Sequence, residues 1–138
     1  MATPSAANFL NLDLEIEATS DLRPLAEHFK GRAFVLFLGP TDGGFRLALE
    51  PLIEGKLNAD PATCTEHFLG ILEALPENLL NLWSGCRSRV FDYGFDGGLE
   101  SPPNHMNLPT STLARAAKLD LGFRITVYPF RERSADEE

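Results

Sequence analysis

Residues 10–18, LNLDLEIEA, alternate apolar and polar side chains without a break. Leu10, Leu12, Leu14 and Ile16 fall on one side, and Asn11, Asp13, Glu15 and Glu17 on the other. A period of two with a single apolar face describes a strand buried on one side and wet on the other. A fold that contains it needs a sheet with one covered face and one open face. The chain has 138 residues, 43% of them hydrophobic, which is enough for one real core. The expected organisation is a single α+β domain over 9–130, with polar tails at 1–8 and 131–138.

The other segments fill in that plan. In TSDLRPLAEHFKG, Leu22, Leu25 and Phe29 lie at helical spacing. Ser20 or Asp21 can cap this helix, and Pro24 is tolerated in its first turn. RAFVLFLG is apolar on both faces, a pattern that predicts a central strand with Phe34, Val35 and Leu36 in the core. PTDGG then turns the chain into FRLALE, so the two strands form a hairpin. Asp60 and Pro61 make a strong helix start, and Cys64, Phe68, Leu72 and Leu75 form its apolar stripe. Pro76 interrupts, and ENLLNLWSG makes a second short helix with Trp83 in the core. RVFDYGFDGG follows as a strand. A proline-rich loop leads to TSTLARAAKLD, a helix capped by Thr110 or Ser111, and LGFRITVY is the last strand, with Leu121, Phe123, Ile125 and Val127 toward the core. The first six elements match a ferredoxin-like β-α-β-β-α-β plan, a mostly antiparallel sheet with helices on one face, extended by a helix and a strand.

Three segments, LDLEIEA, VFDYGFDGG and LARAAKLDLGFRITVYP, resemble a small bacterial family of unknown function found near toxin–immunity loci. The resemblance spans most of the chain, and its pieces are strands rather than chemistry. It implies an α+β sheet domain and a binding role of immunity type. No catalytic residue carries over from it.

Charge narrows the partners. Twenty acids against twelve bases give a net charge of −8. A nucleic-acid backbone and an anionic membrane surface both require a basic face, so both are disfavoured, whereas a basic protein partner is compatible with this charge. The start, MATPSAANFL, lacks the pattern of a secretory signal, and two cysteines make no disulfide framework. The cytoplasm is the expected location.

Asp92 and Asp96 raise the question of a paired acidic site. Residues four apart on a regular strand stand roughly 13 Å from each other, too far for two carboxylates to act on one bond. They read instead as polar rungs, with Phe91, Tyr93 and Phe95 on the core side. The open face then collects Asp13, Glu15 and Glu17 from the first strand and Arg46 and Glu50 from the third. Asp92 and Asp96 come from the fourth, and Arg124, Thr126 and Tyr128 from the last. The expected binding residues are Asp13, Glu15, Glu17, Asp92, Arg124 and Tyr128.

Catalytic signals are weak. Cys64-x-x-His67, even with Cys86 and His105, fits no zinc spacing, and Cys64 lies on an apolar stripe. His28 is placed on the solvent side of its helix. No phosphate loop, dinucleotide fingerprint or nucleophile elbow occurs, so neither metal nor cofactor is expected. The reading is a non-enzymatic domain that presents an acidic sheet face to a protein. The alternative is a small enzyme or ligand-binding domain with a pocket at the 99–109 loop.

Overall fold

The computed structural model describes residues 8–55, 59–97 and 105–129. Nine elements follow in order: β1 (Asn8–Ala18), α1 (Arg23–His28), β2 (Ala33–Thr41), β3 (Gly44–Pro51), α2 (Pro61–Glu73), α3 (Glu77–Ser84), β4 (Ser88–Asp96), α4 (Thr110–Lys118) and β5 (Gly122–Tyr128). The five strands form one mixed sheet, ordered β2-β3-β1-β4-β5. Every neighbouring pair is antiparallel except β4 and β5. The protein is therefore α+β, with a mostly antiparallel sheet.

The alternation of β1 shows up directly in its packing. Leu12, Leu14 and Ile16 are fully buried and share one core with Leu25 of α1, Phe68 and Leu72 of α2, Trp83 of α3 and Ala116 of α4. Trp83 Nε1–H donates to the Leu119 carbonyl at 3.0 Å, which satisfies its one polar atom inside that core. Tyr93 is buried as well. Its hydroxyl lies 2.7 Å from Thr65 Oγ1, which is 2.7 Å from the Pro61 carbonyl. Burial pushes the Tyr93 phenol up to about 12.

Local signals place the helices with mixed fidelity. Asp60 accepts the Thr63 N–H at 2.7 Å ahead of Pro61, as a good cap does. For α1 the expected cap fails: Leu22 is the N-cap and no side chain caps the helix, although Asp21 accepts the Arg23 N–H at 3.0 Å from one residue further out. For α4 the expectation was wrong: Pro109 is the N-cap, and neither Thr110 nor Ser111 caps it. Thr112 is buried instead and donates to Glu66 across to α2. His28 is half-buried rather than exposed, and its Nε2 has no partner among the described residues.

The β2–β3 turn depends on glycine. Gly43 sits at φ +81°, where a side chain is strained. A Cβ at Gly44 would collide with the Ala18 carbonyl oxygen, so the hairpin can lie this close to β1 only without one.

Three expectations for the strands fail. β2 is an edge strand, not a central one, and Phe34, Val35 and Leu36 are about half exposed at 51%, 49% and 50%. The hairpin joins the sheet through β3, which leaves β2 outside. Phe123, Ile125 and Val127 are likewise exposed on β5, the opposite edge, where their face is left uncovered. Leu10 also leaves the core. A register shift between Phe9 and Asn11 breaks the alternation there and exposes Leu10 on the open face.

Candidate functional site on the open sheet face

The open face is built by the polar rungs of the strands. β1 supplies Asn11, Asp13, Glu15 and Glu17, and β3 supplies Arg46, Ala48 and Glu50 opposite them. β4 and β5 run in register, so Asp92 lies beside Arg124, Gly94 beside Thr126 and Asp96 beside Tyr128. This register is unbroken from Val90 to Asp96, so no bulge at Gly94 brings Asp92 toward Asp96. The two aspartates are rungs of one strand.

The face is a hollow rather than a plane. A depression of about 360 Å³ is lined by Leu10, Asn11, Asp13, Leu36, Glu50, Asp92, Gly94 and Tyr128. Its carboxylates come from β1, β3 and β4, and its apolar walls are Leu10, Leu36 and Tyr128. The Tyr128 ring lies close beside Gly94, where a Cβ would meet it in ordinary contact at 3.6 Å. A second, larger hollow of about 690 Å³ shares Leu10, Asn11 and Glu50 and continues past Phe34 toward Gly55. The smaller one holds the chemistry, because three acids converge on it.

The charges divide into two groups. Arg124 Nη1 lies 2.9 Å from Glu15 and 3.2 Å from Asp92, and Thr126 Oγ1 donates to Asp92 at 2.8 Å. Arg46 lies 3.6 Å from Glu15 and sits over the Phe37 ring. Glu15 and Asp92 are thus already matched with arginines, and both carboxylates hold Arg124 firmly charged. Asp13 and Glu50 are different. Asn11 Nδ2 donates to both, at 3.2 and 2.5 Å, but among the described residues no cation lies within ion-pair distance of either. Partial burial pushes the Asp13 carboxyl from 3.8 up to about 6. The carboxylates of Glu50, Glu15 and Asp92 push the same way, and only Arg46 opposes them.

Of the six residues expected to bind, Asp13, Asp92 and Tyr128 line the hollow, and Glu15 and Arg124 form a bridge beside it. Glu17 is exposed near the end of β1, opposite Arg46 and Ser88, and does not line it. The wall residues Leu10 and Leu36 were missed because both read as core from their apolar patterns. Glu50 was legible as a face residue, but its position beside Asp13 depends on the β1–β3 register.

The cysteines and histidines do not converge. Cys64 Sγ donates to the Ala59 carbonyl, Cys86 Sγ to the Leu82 carbonyl, and the His67 ring bonds the Arg32 carbonyl. Burial pushes the Cys64 thiol up to about 11, which keeps it protonated and unreactive at neutral pH. Among the described residues no three His, Cys, Asp or Glu side chains are placed to hold a metal ion, and no helix is long and apolar enough to cross a membrane. The pocket proposed at the 99–109 loop falls partly on residues 99–104, outside the described ones; residues 105–109 have no regular structure. No family model, curated protein or solved structure matches the chain.

Proposed function

We propose that this protein is a non-enzymatic binding domain of immunity type, which receives a basic segment of a partner protein in the hollow of its open sheet face. One observation carries the reading. Asp13 and Glu50 share an apolar-walled hollow with no cation within ion-pair distance among the described residues, and partial burial, with the neighbouring carboxylates, drives Asp13 up to about 6. A carboxylate held in such an environment weakens the folded chain, and an incoming guanidinium or ammonium relieves it. Leu10, Leu36 and Tyr128 suit the aliphatic stem of that side chain or an apolar neighbour. The likeness of LDLEIEA, VFDYGFDGG and LARAAKLDLGFRITVYP to proteins near toxin–immunity loci supports the immunity assignment. The adjacency β2-β3-β1-β4 supports a ferredoxin-like plan for the first four strands, with β5 added beside β4.

The enzyme reading has less support. Besides Tyr128, the titratable groups lining the hollow are all carboxylates, and no Ser, Cys, His or Lys lines it to serve as a nucleophile or base beside them.

The test is a kinetic binding assay on a partner captured from the native host, at low and high salt. Asp13→Asn is expected to slow association and to speed dissociation while the fold is kept. Glu17→Lys is expected to lower only the association rate, with salt erasing the difference, because a rim charge steers encounter. Unchanged kinetics for a folded Asp13→Asn variant reject the hollow as the binding site.

A further inference from the structure

We infer that the larger hollow is a second pocket of the same binding surface, and that the partner presents an extended segment with an arginine and a large apolar residue two positions apart. This rests on the reading of the open face as a binding site and adds what the bound segment carries. The strand registers set its chemistry in one row across the sheet. Asp92 pairs with Arg124 on one side and with Asp13 on the other, and Glu50 pairs with Phe34. Leu14 pairs with Leu49, so one step further along Asp13 and Glu50 come opposite each other. The row therefore runs Arg124, Asp92, Asp13, Glu50, Phe34. Like charges directly opposite one another destabilise a sheet. Here three carboxylates stand in adjacent strands, with an arginine at one end and an exposed aromatic ring at the other.

The Phe34 ring belongs to the larger hollow, whose apolar wall is Leu10, Phe34, Pro51, Leu52 and Ile53. Leu10, Phe34 and Leu52 are between 36% and 51% exposed. The two hollows share Leu10, Asn11 and Glu50, so they form one trough with a charged part and an apolar part. Charge complementarity selects what lies in it. Among the described residues no cation lies within ion-pair distance of Asp13, Glu50 or Glu54, and Glu50 and Glu54 both line the apolar part. An uncharged or acidic occupant would cover these carboxylates without pairing them, which is costly.

Spacing selects the form of the segment. A cation shared by Asp13 and Glu50 sits between β1 and β3, and the Phe34 pocket lies at β2, one and a half strand spacings away, or roughly 7 Å. Side chains two apart on an extended backbone point the same way and are also separated by roughly 7 Å. Arginine suits the first position better than lysine. Its planar guanidinium donates to two carboxylates at once and is more weakly hydrated than an ammonium.

The test is an NMR titration of the full chain with blocked glycine pentapeptides carrying arginine and phenylalanine two positions apart, in either order. The signals followed are those of Asp13, Glu50 and Phe34. The better of the two peptides is expected to bind about tenfold more tightly than peptides carrying arginine alone or phenylalanine alone. It is also expected to exceed the peptide with lysine in place of arginine. Phe34→Ala, at a half-exposed position, is expected to remove the gain from phenylalanine and to leave the arginine-only peptide unchanged. Equal binding with and without phenylalanine overturns the second pocket while leaving the acidic hollow as the site. Equal binding of lysine and arginine peptides overturns the arginine assignment, and a folded Phe34→Ala variant that keeps the gain overturns the placement at β2. Signals unmoved by every peptide at millimolar concentration overturn the inference as a whole; the kinetics of the Asp13→Asn variant with the captured partner then decide separately whether the hollow binds.

Discussion

β1 and β2 exchange the positions that their compositions suggest. β1 has one polar face yet lies in the middle of the sheet, flanked by β3 and β4. β2 is apolar on both faces yet lies at the edge. The difference separates two properties that are easily merged. Lateral position depends on how many strands pair with a strand, and burial depends on what covers its faces. In this sheet the helices share the core with one face only, so a central strand keeps a wet face of Asp13, Glu15 and Glu17. An apolar edge strand keeps exposed phenylalanines unless a second chain covers them.

The sharpest test compares one leucine from each strand. Leu14→Ala removes a fully buried side chain and is expected to cost about 2–5 kcal/mol. Leu36→Ala, at a half-exposed position, is expected to cost about 1 kcal/mol or less in dilute protein. Denaturant melts of the two variants give both values, and equal losses mean that Leu36 is covered as fully as Leu14. Next comes Gly44→Ala, which forces a Cβ against the Ala18 carbonyl where the hairpin meets β1. Overpacking of this kind costs about 1–3 kcal/mol, and thermal unfolding measures it. A neutral result means that the hairpin can stand away from β1.

Asp13 has a smaller effect with the opposite sign. Its folded pKa is raised, so the folded chain holds this proton more tightly than the unfolded chain does. The stability that comes with the proton is fully present below about 3.8 and is lost as pH rises through about 6. Asp13→Asn is therefore expected to stabilise the protein at pH 7 by about 1 kcal/mol, a figure reduced for solvent screening at this half-exposed position. It also flattens the stability profile between those two pH values. Urea melts at several pH values show the change, and a variant less stable at neutral pH removes the case for a strained carboxylate. Glu17→Lys is the smallest change. Exposed strand positions usually tolerate substitution within about 0.5 kcal/mol, and the same melts check this. Glu15→Lys is not equivalent, because it sets a lysine against Arg124 and Arg46.

Much of the architecture was legible before any coordinates. The order of strands and helices, the Asp60 cap, the Trp83 core position and the inward Phe91 and Tyr93 all follow from periodicity and capping. These are local properties, carried by residues within a few positions of each other. The open face was legible for the same reason, since alternation assigns every second residue of β1, β3, β4 and β5 to it.

The hollow was not legible. It needs the shift between Phe9 and Asn11 that turns Leu10 outward, the bulge that accompanies Leu36, and the β1–β3 register that sets Glu50 near Asp13. Each depends on how residues distant in sequence line up, and an apolar residue carries no mark of which neighbour will cover it. What the sequence by itself determined is therefore the identity of the elements and the polarity of their faces, because these follow from the 2.0 and 3.6 periods of backbone geometry. What only the tertiary structure decided is the lateral order of strands and the charge balance at Asp13. Strand order depends on which long-range pairings close the sheet, and the field at a carboxylate depends on distances that no spacing along the chain encodes.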